Sequence, residues 1–133
     1  MIADDELFNY QAIEIILKHV FQLDTTICDH ASDGEKALKL VVDNVHKNGG
    51  RSCDYALILM DCNMPFVDGY EATSRIRQYL YACGVTQPVI SAITGHIEPS
   101  YLEKAYTSGM NQVFSKPVVK ELLQDVLERL YYI

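Results

Sequence analysis

Four places in the chain carry side chains whose types suit one another chemically: the acid pair Asp4-Asp5, the acid Asp61, the hydroxyl of Thr94, and the ammonium of Lys116, which precedes Pro117. Each stands at the carboxyl end of a short apolar run. Three carboxylates gathered in one place repel one another, and this raises their proton affinity unless a cation neutralises them. A ligand set made of oxygens suits Mg²⁺, which keeps several waters and takes few protein ligands. A Lys and a Thr hydroxyl on the opposite wall would hold the oxygens of a phosphoryl group, with Asp61 as its acceptor. Such a transfer needs little covalent machinery, because it is mostly positioning and charge neutralisation.

Residues so far apart converge only if the elements between them bring them to one edge. Ile13, Ile16, Leu17 and Val20 form one helical stripe; Ala37, Leu38, Val41, Val42 and Val45 form a second. Val119, Leu122, Leu123, Val126, Leu127 and Leu130 form a third, in a helix that closes the chain at Tyr131-Tyr132-Ile133. Ser32-Asp33-Gly34-Glu35 reads as a capping box, Asp68 stands three residues before Glu71, and Pro99 suits a first helical turn. Between the helices lie apolar runs at Thr25 to Cys28, Tyr55 to Met60, Pro88 to Ile93 and Gln112 to Ser115. The run Tyr55-Ala56-Leu57-Ile58-Leu59-Met60 is apolar at every position, as in a parallel strand covered on both faces. Strands alternating with helices imply right-handed crossovers and a doubly wound α/β sheet of five strands and five helices. In such sheets the strand ends meet at a crevice where the strand order reverses. Only Met1, Ile2 and Ala3 precede Asp4, so the first strand is very short, as expected of a chain cut from a longer protein at that edge.

Composition narrows the function classes. The 133 residues fit one domain, 1–133, and 49% of them are apolar, enough for an ordinary core. A net charge of −7 argues against binding nucleic acid through its phosphates and against docking on an anionic membrane. No apolar run is long enough to cross a bilayer and no signal-peptide pattern opens the chain, so a cytoplasmic setting is expected. Cys28, Cys53, Cys62 and Cys83 form no C-x-x-C pair, and His19, His30, His46 and His96 are scattered, which disfavours a zinc site and a disulfide framework.

The segment Asp61-Cys62-Asn63-Met64-Pro65-Phe66-Val67-Asp68-Gly69-Tyr70-Glu71-Ala72 resembles the phosphorylation loop of response-regulator receivers, particularly those attached to hybrid histidine kinases. Asp4-Asp5, Thr94-Gly95, Gly109-Met110-Asn111 and Ser115-Lys116-Pro117 are similar to that family's other motifs, in order and spacing, over nearly the whole chain. The resemblance implies a flavodoxin-like sheet in the order 2-1-3-4-5 and a phosphoacceptor in a histidine-to-aspartate relay. Its donor would be a histidine kinase or a histidine phosphotransfer domain. It also implies roles. Asp61 would be nucleophile and metal ligand, Asp5 a direct ligand of Mg²⁺, Asp4 a ligand through water, and Asn63 a ligand through its carbonyl. Thr94 and Lys116 would hold the phosphoryl group, and the Lys116–Pro117 bond would be cis. Asn63 and His96 occupy the positions that set phosphoryl lifetime; neither is an obvious base aimed at water, so a long lifetime is expected. A homodimer through the fourth and fifth helices is compatible with the family.

One position departs from the pattern. Val113 stands where receivers carry the Tyr or Phe that reports phosphorylation, and Phe114 beside it faces the other way. The departure favours a relay or sink role over the usual switching, and keeps alive a receiver-fold interaction module that is never phosphorylated. A Mg²⁺-dependent phosphohydrolase would need a second Asp two residues beyond Asp61, where Asn63 stands. A flavin binder would want a hydroxyl- and Gly-rich loop after the first strand, where Asp4-Asp5-Glu6 would repel a phosphate. Not a conventional turnover enzyme, then, is the expectation.

Overall fold

A computed structural model describes residues 1–130; Tyr131-Tyr132-Ile133, where the sequence placed the end of the last helix, lie outside the described residues. In chain order the elements are β1 (Ile2–Ala3), α1 (Leu7–Ile15), β2 (His30–Ala31), α2 (Gly34–Lys47), β3 (Leu57–Asp61), α3 (Gly69–Cys83), β4 (Val89–Thr94), α4 (Pro99–Ser108), β5 (Gln112–Ser115) and α5 (Lys120–Arg129). All strand pairs are parallel, in the order β2-β1-β3-β4-β5. This is the doubly wound, flavodoxin-like arrangement that the alternating pattern implies.

Successive residues of β3 divide between two apolar layers, as the pleat demands. Ile58 and Met60 pack with Ala37, Val41 and Val45 of α2, Ile76 and Leu80 of α3, and Ala105 of α4. Leu59 faces the other layer, with Ile13, Leu17, Phe114, Leu123, Val126 and Leu127. A strand buried on both faces has no polar side, which accounts for its unbroken apolar run.

Three local expectations need correction. Thr25–Ile27 is a short 3₁₀ turn, not a strand, and the second strand is His30–Ala31. The reason is local: the Asp24 carboxylate accepts hydrogen bonds from the Thr26 N–H at 3.0 Å and the Thr26 hydroxyl at 2.7 Å, which draws the backbone away from extension. The first helix passes at Ile16 into a π-helical turn, Ile16–Val20, whose extra residue rotates the stripe and leaves Val20 50% exposed. The α2 cap is Asp33 alone, accepting from the Lys36 N–H at 2.8 Å; Ser32 instead accepts from the Lys36 ammonium. Asp68 caps α3 through the Glu71 N–H, and Pro99 opens α4, both as the sequence indicates.

Candidate functional site

The carboxyl ends of β1, β3, β4 and β5 bring the candidate residues to one edge of the sheet. Asp4 follows β1 directly, Asp61 ends β3, Thr94 ends β4, and Lys116 follows β5. β1 lies between β2 and β3, so Asp4 and Asp61 flank the point where the strand order reverses. Carboxylate oxygens of Asp4, Asp5 and Asp61 all lie within 4.8 Å of one another. Asp4 and Asp61 are buried and Asp5 is exposed, so the cluster opens to solvent on one side.

Asp61 is 2% exposed. Its Oδ1 accepts from the Asn63 N–H at 3.1 Å and lies 3.1 Å from the Lys116 ammonium. Burial pushes the Asp61 carboxyl up to about 6; the nearby Asp4 charge adds to this, while the Asn63 N–H and Lys116 pull against it. An ion pair alone would lower an aspartate, so burial outweighs the pairing here. Burial works against the Lys116 ammonium too, yet its hydrogen bond to Asp61 and the surrounding acid charges more than offset it and hold its proton affinity above the ordinary value.

Thr94 is buried and its Oγ1 accepts from the His96 N–H at 3.0 Å. The His96 ring stacks on Tyr101 with centroids 4.7 Å apart, and its Nδ1 lies 3.9 Å from a Glu98 carboxylate oxygen. The Lys116–Pro117 peptide bond is cis. Val113 is half-buried against the α2–α4 layer, whereas Phe114 is buried in the α1–α5 layer, so the ring next door occupies the opposite face of the sheet.

Gly69 belongs to the site as well, although spacing alone assigns it no task. Its N–H donates to the Cys62 carbonyl at 3.1 Å, and a Cβ built on it would come within 2.2 Å of the Asp61 carbonyl oxygen. Only glycine lets α3 start this close to the end of β3. The sequence signal was its place right after the Asp68 cap.

The donor set fits a hard divalent cation, and one atom says so independently. Asp4 Oδ1 accepts from the Glu6 N–H at 2.9 Å, but Asp4 Oδ2 is buried without a hydrogen-bond partner. A buried carboxylate oxygen left bare is costly, and a bound cation would supply the missing partner.

The chain matches the family described as the response regulator receiver domain over residues 1–128. It belongs to the response regulator receiver family. The hybrid signal transduction histidine kinase I of Dictyostelium discoideum is 36% identical over 128 residues, 96% of this receiver domain and 7% of the kinase. The two-component response regulator ORR41 of Oryza sativa subsp. japonica is 33% identical over 129 residues, 97% of this chain and 91% of that protein. The receiver of the histidine kinase CKI1 from Arabidopsis thaliana, complexed with Mg²⁺, superposes with a TM-score of 0.77 at 25% identity, covering 97% of this chain and 88% of that one. The chain spans 10% or less of the length of several histidine kinases that it matches. Receiver domains are signalling modules of two-component systems rather than conventional enzymes. Among the described residues no helix is long and apolar enough to cross a membrane.

Proposed function

We propose that this receiver domain accepts a phosphoryl group on Asp61 from a phosphohistidine donor, a histidine kinase or a histidine phosphotransfer domain, with Mg²⁺ in the acid cluster. The observation that carries the reading is a buried Asp61 paired with Lys116 within a carboxylate cluster that also holds the bare Asp4 Oδ2. In the transfer an Asp61 carboxylate oxygen forms the new O–P bond while the P–N bond to the donor imidazole breaks, its electron pair staying on the ring nitrogen. Lys116, whose N–H donates to the Thr94 carbonyl at 2.9 Å, and the Thr94 hydroxyl would hold the phosphoryl oxygens, with Lys116 also fixing Asp61. Asp4, Asp5, Asp61 and the Asn63 carbonyl would hold the cation, whose charge would offset that of the phosphoryl oxygens.

Beside the site a groove runs between α1 and the segment after β5, lined by Asp4, Phe8, Ile13, Lys116, Pro117 and Val118. Phe8 at its rim is 78% exposed, and Leu7 next to it is exposed too, an apolar footing for a partner protein that delivers the phosphoryl group. His96 is engaged by Tyr101 and Glu98 rather than standing free, which supports its passive role and a lifetime long enough for relay. Val113 favours a second reading, a receiver-fold module that binds its partners without being phosphorylated.

Intact mass after incubation with acetyl phosphate decides between them. An adduct of about 80 Da that requires Mg²⁺ and is absent from Asp61→Asn is expected; its absence from folded wild type would leave the second reading. In the same assay the adduct decays equally fast in wild type and His96→Ala, and much slower decay in the variant would make His96 an active participant.

A further inference from the structure

Asp4 is held at three of its polar atoms. Its N–H donates to the Ala31 carbonyl at 2.9 Å, its Oδ1 accepts from the Glu6 N–H at 2.9 Å, and its carbonyl oxygen lies 3.0 Å from His30 Nε2. A carbonyl only accepts, so the ring nitrogen facing it carries the proton. His30 sits in β2, its Cα paired with Ile2 of β1, which brings its side chain to the start of the acid turn. The imidazole is itself fixed: it stacks on the Tyr10 ring of α1, with centroids 4.1 Å apart and planes 19° from parallel. Tyr10 in turn is tied to the same turn, its N–H donating to the Glu6 carbonyl at 3.2 Å.

The carbonyl of Asp4 and the N–H of Asp5 belong to one rigid peptide plane. Holding the oxygen therefore fixes the Asp5 N–Cα bond, and the Glu6 N–H bond to Asp4 Oδ1 restrains the rotation about it that aims the Asp5 side chain. Asp5 is exposed and gains no such guidance from packing. Building on the proposed cation site, we propose that His30, stacked on Tyr10, is a positioning residue: it orients the Asp4–Asp5 peptide so that both carboxylates face Asp61. Outer partners that orient metal ligands are worth roughly 10–100-fold in metal affinity. Because this one acts through a backbone carbonyl, the lower end of that range applies.

The test is Mg²⁺ affinity of the metal-free protein by titration calorimetry at pH 8. His30→Ala is expected to weaken Mg²⁺ about tenfold. His30→Gln, whose amide N–H can meet the same carbonyl, recovers most of that loss, and Tyr10→Leu falls between wild type and His30→Ala. A merely structural histidine would lower the melting temperature of the metal-free protein without this rescue pattern. Affinity unchanged in His30→Ala, or no better in His30→Gln than in His30→Ala, overturns the inference while leaving the acid cluster as a cation site. If His30→Ala does not fold, His30→Gln and Tyr10→Leu alone carry the comparison: a Tyr10→Leu affinity equal to wild type overturns it. Wild type that binds no Mg²⁺ overturns the cation site and this inference with it.

Discussion

Asp61 holds a proton far more tightly than a surface aspartate, since burial raises its carboxyl from 3.8 to about 6. In the metal-free protein this has a definite sign. The folded state binds the proton more tightly than the unfolded chain, so the ionised carboxylate destabilises the fold above about pH 6, and that penalty disappears as pH falls toward 4. Each tenfold of proton affinity is worth about 1.4 kcal/mol, which puts the full penalty at roughly 2–3 kcal/mol. Asp61→Asn keeps the shape and removes the charge. Denaturant unfolding without divalent cations should therefore find the variant more stable than wild type by about 2 kcal/mol at pH 8 and by less than half of that at pH 4.5. A variant less stable than wild type at pH 8 would mean that the Lys116 pairing outweighs burial after all. Asp61, which the proposed transfer needs ionised, is thus a residue that the bare fold would sooner protonate, a tension that a bound cation would relieve.

At the scale of elements, the site depends on how closely α3 approaches β3. The space at Gly69 is set by the Asp61 carbonyl, which a methyl group would meet at 2.2 Å. Backbone has to shift, and overpacking of this kind costs about 1–3 kcal/mol. Gly69→Ala should lower the melting temperature and, by moving Asp61, slow phosphorylation by acetyl phosphate more than tenfold, since small misplacements of a reacting group carry large rate penalties. A variant that phosphorylates at the wild-type rate would show that Asp61 is held by Lys116 and Asn63 alone. Elements with strong periodicity are legible in the sequence: β3 through its apolar run, α2 and α5 through their stripes, and the helix starts at Asp68 and Pro99. The four strand-end sites converge as their spacing implied. Two features escaped for a physical reason. The Asp24 cap turned an apolar stretch into a 3₁₀ turn, and the π-helical turn at Ile16 shifted a stripe; both are local hydrogen-bond choices that hydropathy does not record. The misplaced second strand also hid His30, whose position opposite Ile2 and contact with Asp4 exist only once β2 is placed correctly.

For the molecule as a whole, stability and the acid cluster are linked. Asp4 and Asp61 stand buried at the seam between β1 and β3, so the repulsion between their charges acts on the middle of the sheet. Anything that binds the folded acid cluster and not the unfolded chain stabilises the fold, by about 1.4 kcal/mol for each tenfold of concentration above its dissociation constant. For a domain of this size 1 kcal/mol corresponds to roughly 3–5 °C in melting temperature. Millimolar Mg²⁺ is therefore expected to raise the melting temperature by several degrees at pH 8. The gain should shrink as pH falls through about 6, because protons then compete for the Asp61 carboxylate. It should also be smaller in Asp61→Asn, which starts from a higher metal-free stability and offers the cation one carboxylate fewer. Scanning calorimetry at pH 8 and pH 5, with and without Mg²⁺, reads all of this at once. A rise of the same size at both pH values would place the cation away from Asp61, and with it the charge neutralisation on which the phosphoacceptor reading depends.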